Sequence, residues 1–393
     1  MPGKTVPGTP AWLRSRNDRV ALQLLLEQGP LTRNRIGELT GLSKPTASQI
    51  VQRLEAAEVI TGAGVVSASR GPGAAAYAVR TDQARGVAID IDARAIRSSV
   101  VDVTGDPHPT ARRPLPDGAR SPIDDVRAGI TQACQVAGIA ESDIDAVCIG
   151  VQGSVDPRTD ELRFADTLGT WPRTAVRARL EDELGLAVTI ENDVNLAAVA
   201  ERHDGAGAGL GGFALLWLGE GLGLATDLGG TLQRGTSGGA GEIGYLPAPR
   251  AAAAFDPDAA ELQDLIGGIP VAALTRAAGG DGADYEQAIA TLTADPRVRA
   301  EVIAALAPRV ALGVVPVLAL LDPERIVLGG ATAIACGAAL AEAVAQAVRR
   351  TTQWTPDVVT TRVIADPVLA GARDMLRHHL RATLFDRLDR LAH

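Results

Sequence analysis

The chain has 393 residues, 46 % of them hydrophobic and 22 % charged, and a net charge of −9. That length suits two or three domains around a large core, and no apolar run escapes charge or glycine long enough to span a bilayer, which argues against a membrane partner. The three scattered cysteines, Cys134, Cys148 and Cys336, exclude a disulfide framework and a cysteine-held metal cluster, and "MPGKTVPGTPAWLRSRND" has no apolar signal-peptide core, so the expected setting is a reducing cytoplasm.

Residues 1–16 read as a flexible lead. Residues 17–80 read as a winged helix-turn-helix. Asn17 is the expected cap of a helix running to Gln28 and stopped by Gly29. A second helix follows Thr32 and ends near Gly41, and a third begins at Ser43, with Pro45 tolerated in its first turn. Leu31, Ile36, Leu39, Leu42, Ile50, Val51 and Leu54 fall at helical spacings and predict one small core. The third helix has a polar face of Ser43, Lys44, Thr46, Ser48, Gln49, Gln52 and Arg53, side-chain types that reach base edges and phosphates. The segment "GAGVVSASRGPGAAAYAV" reads as a two-stranded ribbon whose tip, Arg70-Gly71-Pro72-Gly73, suits a minor groove. Residues 1–80 carry ten Lys/Arg against five Asp/Glu, whereas the remaining 313 carry 28 against 42. A basic head on an acidic body points to double-stranded DNA as the head's partner; the alternatives are chance scatter of surface charge and a trihelical interaction module without DNA.

From Gly86 onward, short β-branched runs alternate with helical patterns, which predicts an α/β body over residues 81–393. Residues 86–106 read as strand, turn, strand, and "AVCIGV", "AVTIE", "FALLWLG", "LATDL" and "RIVLGG" as further strands. Helices are expected at 122–138, 172–184, 194–203, 261–277, 298–320 and 335–350. His378 and His379 are adjacent on a helical pattern, point apart, and read as surface or packing residues.

Five segments occur in order: "GVQGSVDP" (150–157), "ENDVNLAAVAE" (191–201), "LGEGLGLATDLGGTLQRGTSGGAGEIGYLP" (218–247), "DPERIVLGG" (322–330) and "LAGARDML" (369–376). With the head, they resemble a transcriptional regulator of the ROK family (repressors, open reading frames and sugar kinases). The resemblance implies an actin-like, two-lobed ATPase fold with a sugar in the cleft. Lobe one would span about 81–195 plus the C-terminal helix, and lobe two about 196–370. It further implies that Asp193 stands at the kinase base position, that Glu242 binds sugar, and that Gly153, Asn192 and Tyr245 line the effector site. Capping the following helix is the alternative role for Asp193.

The same resemblance exposes departures. Tyr245 stands where the family has a sugar-contacting, zinc-ligating histidine. The following cysteine-rich loop is replaced by "LPAPRAAAAFDPDAAELQDLIGG", so no zinc and no cofactor are expected, and Gln263 aligns with a sugar-binding glutamate. The first phosphate turn, Asp-x-Gly-Gly-Thr-Lys in the kinases, becomes Asp90-Ile91-Asp92-Ala93-Arg94-Ala95, and the second, Gly-Thr-Gly, becomes Gly219-Glu220-Gly221. Gly329-Gly330 keeps the third element or makes an ordinary turn. A carboxylate about 4 Å from a phosphate charge costs about 4 kcal/mol at an effective dielectric near 20, so Asp92 and Glu220 are expected to repel a nucleotide unless Arg94 offsets one of them. No catalytic residue is therefore assigned. The expected function is a non-enzymatic regulator, a repressor, acting as a homodimer or homotetramer with a sugar or sugar derivative as effector. A sugar kinase with a DNA-binding head and an effector-independent regulator are the alternatives.

Overall fold

The computed structural model describes residues 9–66, 73–115, 121–165, 168 and 171–391. Its first helix, α1 (Pro10–Gln28), begins well before Asn17. Thr9 is the N-cap and accepts a hydrogen bond from Trp12 N at 3.2 Å, with Pro10 in the first turn, where a missing N–H is not needed. Within the lead expected at 1–16, residues 10–16 are therefore helical, which corrects that part of the expectation. Ser15 and Arg19 both bond Asp389 at the far end of the chain, a partner invisible to local pattern.

β1 (Leu31–Thr32) leads into α2 (Arg33–Thr40), which Gly41 ends in a left-handed conformation, and α3 (Lys44–Ala56) follows its Ser43 cap. β2 (Ile60–Val66) and β3 (Ala74–Val79) form the antiparallel ribbon, and β1 pairs with β3 to complete a three-stranded sheet. Leu31, Ile36, Ile50, Val51 and Leu54 are buried, with Leu39 and Leu42 packed against them. The wing-tip residues Arg70 and Gly71 lie outside the described residues.

The body opens with a meander of β4 (Arg85–Ile91), β5 (Ala95–Asp102) and β6 (Thr110–Pro114). Next come α4 (Pro122–Ala137), β7 (Ala146–Val151), the small ribbon β8 (Ser154–Val155) and β9 (Leu162–Arg163), α5 (Val176–Leu184) and β10 (Ala187–Asn192). The first large sheet has the order β10-β7-β4-β5-β6. α6 (Asp193–Asp204) leaves it for a second meander, β11 (Gly212–Leu218), β12 (Leu222–Leu228) and β13 (Thr231–Leu232). There follow α7 (Gln263–Ile266), α8 (Gly268–Ala277), α9 (Tyr285–Ala294), α10 (Pro296–Leu321), β14 (Arg325–Gly329), α11 (Gly330–Thr351), β15 (Val358–Thr360) and α12 (Pro367–Leu391). The second large sheet has the order β13-β12-β11-β14-β15. Both large sheets thus repeat one plan: three antiparallel strands in sequence, then two parallel strands added beyond the first. The body is two lobes of the same topology.

Three expected helices change shape. The one at 172–184 starts only at Val176, after left-handed Ala175. The one at 261–277 breaks at extended Gly267, where Gly268 N donates to Glu220 O at 2.9 Å and draws the chain toward the cleft. The one at 335–350 starts at Gly330 and is interrupted at Gly337. α10 and α11 are long and apolar enough to cross a membrane by length and composition, but they pack on one another and supply the core of lobe two.

α12 ties the molecule together. Leu369, Leu376, Leu380, Leu384 and Leu388 form a buried stripe at helical spacing, in one continuous core with Leu22 and Leu25 of α1, Cys148 of β7 and Leu196 of α6. Near its start, Gly371 lies so close to α6 that a Cβ would stand 1.8 Å from Leu196 O. Further along, Arg381 Nε donates to Val103 O at 2.7 Å, and Arg19 of α1 sits over the Phe385 ring at 4.7 Å. Gly371→Ala is expected to force α6 and α12 apart and cost on the order of 1–3 kcal/mol, read as a lowered urea midpoint. An unchanged midpoint would show that this contact is not tight.

Candidate functional site

The two lobes face each other across a cavity of about 540 Å³. β10 delivers Asn192 to its floor and α6 begins there. Asn192 Oδ1 caps α6 by accepting from Asn195 N at 3.1 Å, while its Nδ2 donates to Gly153 O at 3.2 Å. Because Asn192 is the cap, Asp193 is left facing the cavity, its Oδ1 accepting from the adjacent Val194 N at 2.8 Å. Burial, opposed by that N–H and reinforced by the charges of Asp90 and Glu242, pushes the Asp193 carboxyl up to about 7. Gly153, Asn192, Asp193, Glu242 and Tyr245 therefore line one cavity. So do Gln152, Phe164, Trp217 and Glu261, which the sequence did not single out. Gln263 lines it as well, but its side chain braces the second turn: Oε1 accepts from Leu222 N at 2.8 Å and Nε2 donates to Glu220 O at 3.1 Å.

The first turn differs from expectation. Asp92 does not confront the cleft with an unmatched charge. Its Oδ1 accepts from the backbone N–H of Arg94 and of Ala95, both at 2.7 Å, and its Oδ2 accepts from Arg97 at 2.6 Å. Burial opposes ionisation there, but the Arg94 N–H, the Arg97 charge and the Ala95 N–H outweigh it and hold the carboxyl below the usual range. The carboxylate thus fills its own turn, taking amides that a phosphate oxygen would need. Arg97 also donates to buried Asp90 at 2.9 Å, and burial still pushes Asp90 up to about 6. Glu220 is not left unmatched either. Arg94 reaches across the cleft to Glu286 at 2.5 Å and lies 4.0 Å from Glu220. The expected double repulsion is therefore corrected to two internal charge pairings. The amides of Arg94 and Ala95 and the guanidinium groups of Arg94 and Arg97 are thus engaged within the protein.

Residues 86–377 match the ROK family, and residues 14–61 match winged helix-turn-helix DNA-binding domains. The chain belongs to the ROK family. A solved ROK family transcriptional regulator, a homolog of the E. coli MLC protein, superposes with a TM-score of 0.69 at 18 % identity, covering 97 % of this chain and 98 % of that one, which shows a shared fold. Similar curated proteins include a glucokinase of Streptomyces coelicolor, 32 % identical over 160 residues (41 % of this chain, 49 % of the relative). The xylose repressor of Bacillus subtilis is 23 % identical over 240 residues (60 % of this chain, 61 % of the relative). The chain thus spans about half to three fifths of the length of these relatives.

Within this ROK protein, Tyr245 ends a short helical turn and its ring stands against Phe164, with centroids 5.4 Å apart. The segment beyond it offers neither imidazole nor thiolate, and among the described residues no three His, Cys, Asp or Glu side chains converge, so the donor set does not fit zinc. His378 and His379 are both exposed on α12. In the head, Lys44, Gln49 and Gln52 are exposed and Ser48 half-buried on α3, while the Ser43 and Thr46 hydroxyls bond each other at 2.8 Å. Arg53 departs from the expected DNA face. Its Nε and Nη2 hold Asp18 of α1 at 2.8 and 2.5 Å, and Asp18 is only 4 % exposed. A buried carboxylate demands a partner, and Arg53 is the one within reach.

Arg53→Ala is expected to destabilise the head by about 1–3 kcal/mol in urea unfolding, because Asp18 is left buried and unpaired. Unchanged stability with weakened DNA binding would return Arg53 to the recognition face. For Asp193, the native state between about pH 4 and about pH 7 holds a proton that the unfolded chain has lost, so stability falls as pH rises through that window. The melting-temperature advantage of Asp193→Asn over the wild type should therefore grow across the window and level off above it. A difference constant with pH would place the ordinary carboxylate pKa at Asp193.

Proposed function

We propose that this chain is a sugar-responsive transcriptional repressor whose kinase-like body transfers no phosphoryl group. The observation that carries the reading is the first turn of lobe one, where Asp92 satisfies the amides of Arg94 and Ala95 and Arg94 is committed to Glu286 and Glu220. A phosphoryl-transfer site needs those donors for its nucleotide. The sugar half keeps its polar groups: Gly153, Asn192, Asp193, Glu242 and Tyr245 line the effector cavity.

In the head, Ser43, Lys44, Thr46, Ser48 and Gln49 present the reading face of α3 to a major groove, and Arg70 and Gly71 are assigned to the wing's minor-groove contact. Two heads of a homodimer, or of a dimer within a homotetramer, reach successive major grooves roughly 34 Å apart. Effector binding shifts operator affinity only by favouring one arrangement of lobes and heads over another. A route for that coupling is continuous packing: α6 starts at the effector floor, α12 lies against α6, and α12 meets α1 through Asp389 and Phe385. In a mobility-shift titration on promoter DNA from beside its own gene, a salt-sensitive, sequence-preferring shift is expected. Lys44→Ala should weaken it and lower the salt slope by about one. A complete absence of preference between that fragment and unrelated DNA would count against the repressor reading.

One observation favours the kinase reading: a carboxyl at Asp193 poised near neutrality is suited to general-base work. Coupled ADP-release assays over a sugar panel decide between the two. No turnover is expected; turnover abolished by Asp193→Asn would establish a kinase.

A further inference from the structure

The cleft is built for more than one hexose ring. At about 540 Å³ it lies in the range that encloses drug-sized ligands, and its wall includes two partly exposed aromatic rings, Phe164 and Tyr245. Phe164 is 40 % exposed and Tyr245 47 %. Their planes meet at 47° with centroids 5.4 Å apart, a tilted pair, and both residues line the cavity.

Phe164 also has a left-handed backbone, with φ of 51°. A bulky residue in that region is an outlier, and such strain persists where the surroundings impose it, often at ligand sites. Here the ring is wedged against lobe two: a Cβ on Gly239 would stand 2.9 Å from it. Phe164 comes from the loop after β9 of lobe one, and Gly239 and Tyr245 from lobe two. The pair therefore sits where the two sides of the cleft meet.

The charge of the wall is the second observation. Asp193, Glu220, Glu242 and Glu261 line the cavity, and among the described residues no Lys, Arg or His does. A phosphate on the ligand would meet four carboxyl groups and no cation among these described lining residues, whereas sugar hydroxyls donate to carboxylates readily.

Resting on the sugar-effector reading above, we infer that the effector is an uncharged glycoside with an apolar or aromatic aglycone. Its sugar ring meets Asn192, Asp193 and Glu242, its aglycone covers Phe164 and Tyr245, and phosphorylated sugars are rejected. Tyr245 is then a specificity residue, reading the aglycone rather than the sugar.

Calorimetric titration of the full chain tests this with p-nitrophenyl and methyl glycosides of glucose, galactose, mannose and xylose, the parent sugars, and glucose 6-phosphate. For at least one sugar, the nitrophenyl glycoside is expected to bind about tenfold more tightly than the methyl glycoside, the gain of one well-stacked ring. Tyr245→Ser and Phe164→Leu should each bring the ratio of the two glycosides' affinities close to one. Tyr245 is exposed enough for its variant to fold even if the Phe164 variant does not. Equal affinity for the two glycosides, or tighter binding of glucose 6-phosphate than of glucose, overturns the inference alone. If no sugar or glycoside binds, the sugar-effector reading falls with it.

Discussion

The packing of one terminal helix against three parts of the chain is the constraint on which the rest of this structure depends. α12 presents a leucine stripe to the first lobe's sheet, to α6 and to α1, and these surfaces fuse into a single apolar core. The head is consequently not a bead on a linker. Asp389, Phe385 and Arg381 fix it to the body through a charge pair, a cation–π contact and carbonyl hydrogen bonds. The closeness of Gly371 to Leu196 O removes the slack that a side chain would have left between α12 and the helix that begins at Asn192 and Asp193. Side chains in such close-packed contacts move together, so a change of arrangement at the cleft floor has a mechanical path outward.

The chemistry of the cleft follows from how its charges are matched. A kinase turn leaves amides open for an anion brought in from outside. Here the anion is built in, as Asp92, and its countercharge is built in too, as Arg97. Arg94 then joins the lobes through Glu286 and Glu220, all three side chains being largely exposed, so the link is weak and screened by salt. The lobes are thus held in part by contacts that can yield, around a cavity lined by Asn192, Asp193 and Glu242.

Legibility in the sequence tracked the distance over which each feature is decided. The second and third helices of the head were readable because Ser43, Pro45 and Gly41 act on their own turns. Most strands of both large sheets were readable from β-branched runs; the edge strands β6, β13 and β15 were not. The start of α1 was missed although Thr9 and Pro10 act locally there, because Asn17 offered a competing cap; the tie of Ser15 and Arg19 to distant Asp389 and the role of Arg53, whose partner Asp18 lies on another helix, leave no local signal. The doubled sheet topology has no counterpart in a visible sequence repeat. In the site, the family motifs led to Gly153, Asn192, Asp193, Glu242 and Tyr245. Composition gave the right sign of charge at Asp92 and Glu220 but not the direction each carboxylate faces. Phe164, Trp217 and Glu261 carried no motif; only the convergence of separate loops brings them to one wall.

The self-filled turn also bears on how reversible this protein's history is. Restoring glycine at Asp92 would strip Arg97 of one partner and leave it shared between buried Asp90 and Asp366. Restoring the threonine of the kinase turn at Arg94 would strand Glu220 and Glu286. Each such change removes a charge pairing, so converting this turn to the kinase pattern takes several coordinated substitutions rather than one.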